Sequence, residues 1–351
     1  MKNTVGPWKA GKFMELTMRP HSLNCYAFSK LWHRCTTIDL RAGDINFINK
    51  QAKCWLYADL LEKPEELALY KQTQHGGLGL YHVEQSALAH LINSFLETAC
   101  NPKFRRNQFH EALFKSYVLE DTSSKPDIPP YFRGDFFPAL RRINASPLNV
   151  ANLKLKDVYR FLIEETTMSV DAAGFQKLLP LRVELAEPGQ LWDVSWELAR
   201  QSKLGPGLTT FLFKLLHQIL PTAVRVSRIL PNQSPFCQRC KSTPPALETL
   251  QHALFDCKEN NDVGNYLLDG LKRILPNITP PRILTLNLEP TEETKFPVVW
   301  SIAHFLSSIW KLRVDKKKVE LIKIRTDMEA SIRLLRESRL DQTTAILNSI
   351  F

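Results

Sequence analysis

The sequence has no run of about eighteen uninterrupted apolar residues, so a helical membrane span is not expected. Its opening stretch, MKNTVGPWKAGKFMELTMRP, lacks the apolar core of roughly 7–15 residues that a secretory signal needs. Secretion is therefore not expected either. The cysteines number seven, an odd count, and Cys25, Cys35, Cys54 and Cys100 lie far apart. That pattern does not fit a disulfide framework and suits a reducing, intracellular compartment, nucleus or cytoplasm. No internal repeat at a fixed period is visible, so a repeat architecture is not expected.

What is present points to a folded chain. At 351 residues, with 44% hydrophobic and 23% charged residues, it has enough apolar material for two or three domains with cores. Lys and Arg outnumber Asp and Glu by 46 to 36, giving a net charge of +10 and a pI near 9.2. A cationic balance favours a polyanionic partner, RNA or DNA; neither a membrane nor a small-molecule substrate is expected as a partner.

Apolar periodicity reads as mainly α. Residues 1–120 carry helical patterns in LNCYAFSKLWHRC, DINFINKQAKCWLYADLLEKPEELALY and VEQSALAHLINSFLETAC, with GGLGL at 76–80 as a turn between helices. The stretch DTSSKPDIPPYFRGD, 121–135, has three prolines and reads as an exposed linker that marks a boundary. Residues 121–208 then form a linker and helical connector. GPGLTTFLFKLLHQILPT predicts a helix capped by Thr209 or Thr210, with a body from Phe211 to Leu220 and a stop at Pro221. It opens a segment, 209–275, that holds the cysteine cluster described next, and residues 276–351 form a proline-rich connector and basic C-terminal helices.

Residues 237–257, CQRCKSTPPALETLQHALFDC, concentrate three cysteines and one histidine in the spacing Cys237-x2-Cys240-x11-His252-x4-Cys257. A C-x-x-C turn can place two thiolates on one ion, and a later His and Cys can complete a tetrahedron suited to zinc. Reduced structural cysteines are a second reading. A redox C-x-x-C is a third, but the strand before such a motif and the long helix after it are not expected here. Four protein ligands close the coordination sphere, so one zinc per chain would be structural, a small CCHC knuckle. Residues five apart on an ideal helix diverge by roughly 140°, so the helix carrying His252 should end before Cys257.

TTFLFKLLHQILPTAVRVSRILPNQSPFCQRC followed by LETLQHALFDC resembles the zinc-binding C-terminal region of non-LTR (LINE-type) retrotransposon reverse transcriptases. LNCYAFSKLWHR, the WLY stretch and above all HGGLGL resemble the thumb and post-thumb region of the same polymerases. The resemblance implies a region that holds template RNA or target DNA, in partnership with a polymerase core that can be supplied in trans. It does not extend to the catalytic palm, whose adjacent aspartates hold two magnesium ions. The nearest stretch, YADL, offers only Asp59 in an expected helix, and Asp127 and Asp135 have no convincing nuclease partner. No catalytic activity is expected of this chain.

Cations gather around the cluster: Lys214 on the apolar helix, Arg225 and Arg228 after it, and Arg239 and Lys241 within the knuckle. These can track phosphates, and Phe236 can stack on a base. The competing reading is a protein-interaction module with a solvated cationic face and Phe236 packed on the metal site. His217 is expected to pack or hydrogen-bond on its helix. Further on, residues 311–339 hold ten Lys and Arg against five Asp and Glu, with Leu321, Ile324, Met328, Ile332 and Leu335 on one helical face that can pack against Trp300, Phe305 and Trp310.

Overall fold

A computed structural model describes residues 14–36, 40–57, 66–100, 108–119, 127–128, 132, 135–148, 153–164, 192–201, 204–230, 232–240, 244–317, 319–337 and 341–350. The fold is mainly α. In chain order the helices are α1 (Arg19–Ser22), α2 (Ser29–Cys35), α3 (Ala42–Leu56), α4 (Glu66–Tyr70), α5 (Val83–Cys100) and α6 (Gln108–Tyr117). They continue as α7 (Phe136–Ala145), α8 (155–164), α9 (Trp192–Ala199), α10 (Pro206–Leu216) and α11 (Ala223–Ile229). The last five are α12 (Asn261–Lys272), α13 (Pro280–Thr285), α14 (Glu292–Val314), α15 (Leu321–Glu337) and α16 (Asp341–Ile350). Among the described residues there is no β-strand, only one antiparallel bridge between Phe236 and Leu247. Nor is any helix among them long and apolar enough to cross a membrane.

The chain divides into two compact units, one built from Met1–Met14, Met18–Asp59 and Gly79–Lys177 and the other from Glu15–Thr17, Leu60–Leu78 and Leu178–Phe351. In the first, a π-helical segment, Leu23–Phe28, joins α1 to α2. Its Asn24 clamps an extended strand of chain: the amide donates to the Gly79 carbonyl at 2.8 Å and accepts from the Tyr81 N–H at 3.1 Å. The buried Arg19 guanidinium donates to the carbonyls of Met14 and of Leu56, the last residue of α3, so a cation sits at the carbonyl end of that helix.

The main core of this unit is aromatic. Phe95 of α5 packs edge-on to Phe132 and Phe136, with ring centroids 5.4 and 5.3 Å apart, and Phe132 stacks on Phe136 at 4.4 Å. Leu88, Ile92, Leu113, Leu140, Ile143, Val158 and Leu162 complete it. The exposed linker expected at 121–135 is corrected at this point. Asp127 and Ile128 are exposed, but Phe132 is 7% exposed and belongs to the core. One core therefore spans the boundary drawn between residues 120 and 121, because α5 and α6 on one side and α7 and α8 on the other bury their apolar faces against the same rings. Tyr57 follows α3 as a turn; Asp59, the acidic residue of YADL, lies outside the described residues.

The second unit is organised by α14. This helix is apolar almost all round and touches α9, α10, α12, α15 and α16, as a helix buried on every side must. Ile324, Met328 and Ile332 of α15 are buried while Lys323, Arg325 and Arg333 are exposed, so the basic helix packs one face and solvates the other. The Leu335 side chain lies outside the described residues. Gly76 ends a 3-10 turn at φ +79°, and a Cβ there would fall inside the Trp196 indole, which no side chain could avoid.

Helix α10 differs at both ends from the expected span. It starts at Pro206 because Gly205, at φ +77°, turns the chain in and proline presets the first helical position. It ends at Leu216, four residues before the expected Leu220, in a Schellman turn. Gln218 takes the left-handed conformation, its N–H donates to the Leu215 carbonyl, and the Ile219 N–H donates to that of Lys214. The Pro221 stop is not needed. His217, just past the helix, packs on Trp196 and Phe213 and meets the Gly76 carbonyl at 2.8 Å through Nε2.

The core assignment of Phe132 is testable. Phe132→Ala should lower unfolding stability by about 3 kcal/mol or more, as for other buried phenylalanines. Urea denaturation showing a loss below about 0.5 kcal/mol would return the residue to a solvated linker.

Candidate metal centre

Three short elements bring the four candidate ligands together. Cys237 and Cys240 sit on the turn after the antiparallel bridge, His252 opens a π-helical turn, His252–Asp256, and Cys257 follows it in extended backbone at ψ 125°. The π turn resolves the x4 spacing. Its defining bond runs from the Cys257 N–H to the His252 carbonyl at 2.8 Å, and i→i+5 bonding stacks residues five apart that an α-helix would splay. The expectation that regular helix ends before Cys257 holds, by insertion of a wider turn. Asn260 braces the turn, its amide donating to the Ala253 carbonyl at 2.7 Å.

The ligand atoms of Cys237, Cys240, His252 and Cys257 all lie within 4.8 Å of one another. Cys237 Sγ and Cys257 Sγ are 3.9 Å apart, and Cys240 Sγ and His252 Nε2 are 3.6 Å apart. A disulfide requires ~2.05 Å, so these sulfurs are unbonded thiols. Tetrahedral zinc, with Zn–S of ~2.3 Å and Zn–N of ~2.05 Å, requires edges of ~3.8 Å between sulfurs and ~3.6 Å between sulfur and nitrogen. The cluster can bind a metal ion and its dimensions are consistent with zinc.

Electrostatics agree with a cation site. Burial pushes the Cys257 thiol up to about 12, partly offset by a hydrogen bond from the Glu259 backbone N–H and reinforced by Cys237 and Cys240. A thiol held protonated in this way gives up its proton when it binds a cation, so metal binding at Cys257 expels a proton. Burial lowers the His252 pKa, with Asp256 opposing, which keeps the imidazole neutral and its lone pair available.

The bridge that carries the first two ligands follows strand alternation. Cys237 donates its N–H to the Ala246 carbonyl at 2.8 Å, and Glu248 donates to that of Pro235 at 3.0 Å. These bonds flank Phe236 and Leu247, which makes the two residues a non-hydrogen-bonded pair with closely spaced side chains. Cys237 and Glu248 accordingly turn inward and are buried, while Phe236 and Leu247 turn outward and are exposed.

Glu248 and Arg313 are the residues that the sequence reading missed. The Glu248 carboxylate is 5% exposed; it accepts the Ala223 N–H, the first of α11, at 2.7 Å and pairs with the Arg313 guanidinium at the end of α14. Arg313, 12% exposed, also lies over the Trp310 ring at 4.8 Å. Burial lowers the Arg313 pKa, and nearby Cys237 opposes that shift. Nothing in the spacing of the chain signals a pair 65 residues apart.

The cations read from the sequence are placed unequally. Arg228 is exposed. Arg239 is half-buried and donates through Nη2 to the Lys317 carbonyl at 2.9 Å. Arg225 is half-buried, its pKa brought down to about 10 by burial and by Arg228, so it stays charged at neutral pH. Lys214 is half-buried on α10, and Lys241 lies outside the described residues. No protein-family model matches the chain, and no curated protein or solved structure matches it significantly.

Breaking the buried ion pair should be costly. Glu248→Ala leaves the Arg313 charge uncompensated and should cost about 3–5 kcal/mol. A melting curve within experimental error of wild type would show that the pair is not the tie between α11, the knuckle and α14.

Proposed function

We propose that the chain is a non-catalytic nucleic-acid-binding region organised by one structural zinc, related to the tail of LINE-type reverse transcriptases. Cys237, Cys240, His252 and Cys257 would hold the ion, whose contribution is a four-way cross-link of the fold. The observation that carries the reading is an acid-free stretch beside that centre. From Ala223 to Leu247 there are four cations, Arg225, Arg228, Arg239 and Lys241, and no Asp or Glu. The next acid, Glu248, is buried and already engaged by Arg313. A polyanion approaching this segment meets no opposing charge from within it.

Exposed Ile229, Leu230, Phe236 and Leu247 favour a second reading, a protein-interaction module that the metal stabilises. The two differ in their response to salt, since phosphate contacts release counterions and apolar contacts do not.

Purified folded protein should contain one zinc per chain by elemental analysis. Cys240→Ser or a strong chelator should unfold the knuckle while the helices of the first unit persist, because structural zinc supplies on the order of 10 kcal/mol to such sites. Folded protein with much less than one zinc per chain would rule the site out.

Single-strand affinity should fall with salt at a log–log slope of roughly −2 to −3, at ~0.7 per phosphate contact, and Arg228→Ala should remove about one contact's worth from the slope for every sequence alike. A near-zero slope that Arg228→Ala leaves unchanged would favour the interaction module.

A further inference from the structure

We infer that the Phe236–Leu247 pair is a stacking platform for an unpaired base, so that the chain selects single-stranded over duplex nucleic acid; this rests on the nucleic-acid reading above. Three observations carry it. Phe236 is 41% and Leu247 52% exposed, which is unusual for two large apolar side chains placed directly opposite each other. Their non-hydrogen-bonded register brings the side chains to within roughly 4.5–5.5 Å at Cβ, so that ring and isobutyl group form one continuous surface. That surface is held in place from behind: Cys237 and Glu248, the next residues on the two arms, are fixed by the ligand cluster and by Arg313.

The occupant follows from chemistry around the pair. The arms that carry it, 223–247, contain cations and no acid, and Arg228 is exposed at the end of α11. An apolar surface with phosphate-compatible surroundings matches a nucleotide, whose base is flat and apolar on its faces and whose linkage is anionic. A duplex shields those base faces within its own stack, so only an unpaired base can reach Phe236. An acidic peptide would satisfy the charge but gains no stacking from an aromatic ring. Because stacking surfaces exist on every base, the platform should tolerate sequence and favour the larger purines.

The test uses zinc-loaded full-length protein and fluorescence anisotropy with labelled oligo-A and oligo-U single strands, a duplex of equal length, and polyglutamate as competitor. Expected are tighter binding to single strand than to duplex, oligo-A over oligo-U, and weak competition by polyglutamate. Phe236→Ala should weaken single-strand binding roughly tenfold with duplex binding and salt slope unchanged, while Phe236→Trp should retain affinity. Zinc content of both variants checks that the knuckle remains folded, as an exposed side chain allows. Equal binding of single strand and duplex, or wild-type affinity in Phe236→Ala, overturns the platform and leaves the nucleic-acid reading in place. Equal competition by polyglutamate overturns the platform as well. Absence of salt-dependent binding by the wild type to either nucleic acid overturns both.

Discussion

The second unit is tied together by one buried carboxylate. Glu248 caps the first N–H of α11, pairs with Arg313 at the far end of α14, and uses its own backbone to close the bridge that presents Cys237. A lone buried carboxylate would be strongly unfavourable, and the pair survives because each partner is satisfied more than once: the carboxylate by an amide and a guanidinium, the guanidinium by a carboxylate and the Trp310 face. Such a pair adds little net stability compared with apolar packing, but it tolerates only one arrangement of the three elements. Its role is to fix register, and the ligand geometry inherits that register.

Charge balance extends the same logic to the metal centre. A zinc ion held by three thiolates and a neutral imidazole would carry one net negative charge, and Glu248 would add a second nearby. Arg313, near Cys237, and Arg239, which donates to the Lys317 carbonyl, would supply two positive charges. Arg313 is therefore occupied with the interior, whereas Arg239 is only half-buried. One of these counter-charges, Arg313, would come from α14, and the other, Arg239, from the knuckle itself, hydrogen-bonded to the turn after α14. Arg228, outside this balance, is the most exposed of the described cations of the group.

The four residues of the candidate metal centre were legible in the sequence because they are local. Two cysteines on a turn and a His and Cys further on are confined to 21 residues, and no distant element is needed to recognise them. The mainly helical fold was legible for a similar reason, since apolar periodicity is a property of short windows. What could not be read is what the chain brings together over distance. Phe132, in a proline-rich stretch, gave no sign of a core that α5 and α7 assemble around it. Glu248 and Arg313 lie 65 residues apart, and no local pattern pairs them. The Schellman end of α10 uses glutamine where glycine is the usual signal, so the proline five residues after Leu216 drew the boundary too late.

The two irregularities of the knuckle, a bridge only one pair long and a π turn, answer the same geometric problem. Strand alternation allows Cys237 and Glu248 to face inward only if Phe236 and Leu247 face out, so the apolar pair on the surface is a consequence of ligand register as well as a feature of its own. A slip of one residue would expose Cys237 and Glu248 and bury Phe236 in their place. On the opposite side, ordinary α geometry would turn Cys257 away from His252, and the i→i+5 bond restores it. Each irregular turn thus brings a candidate ligand toward the others, and the exposed Phe236–Leu247 pair shares the backbone that does so.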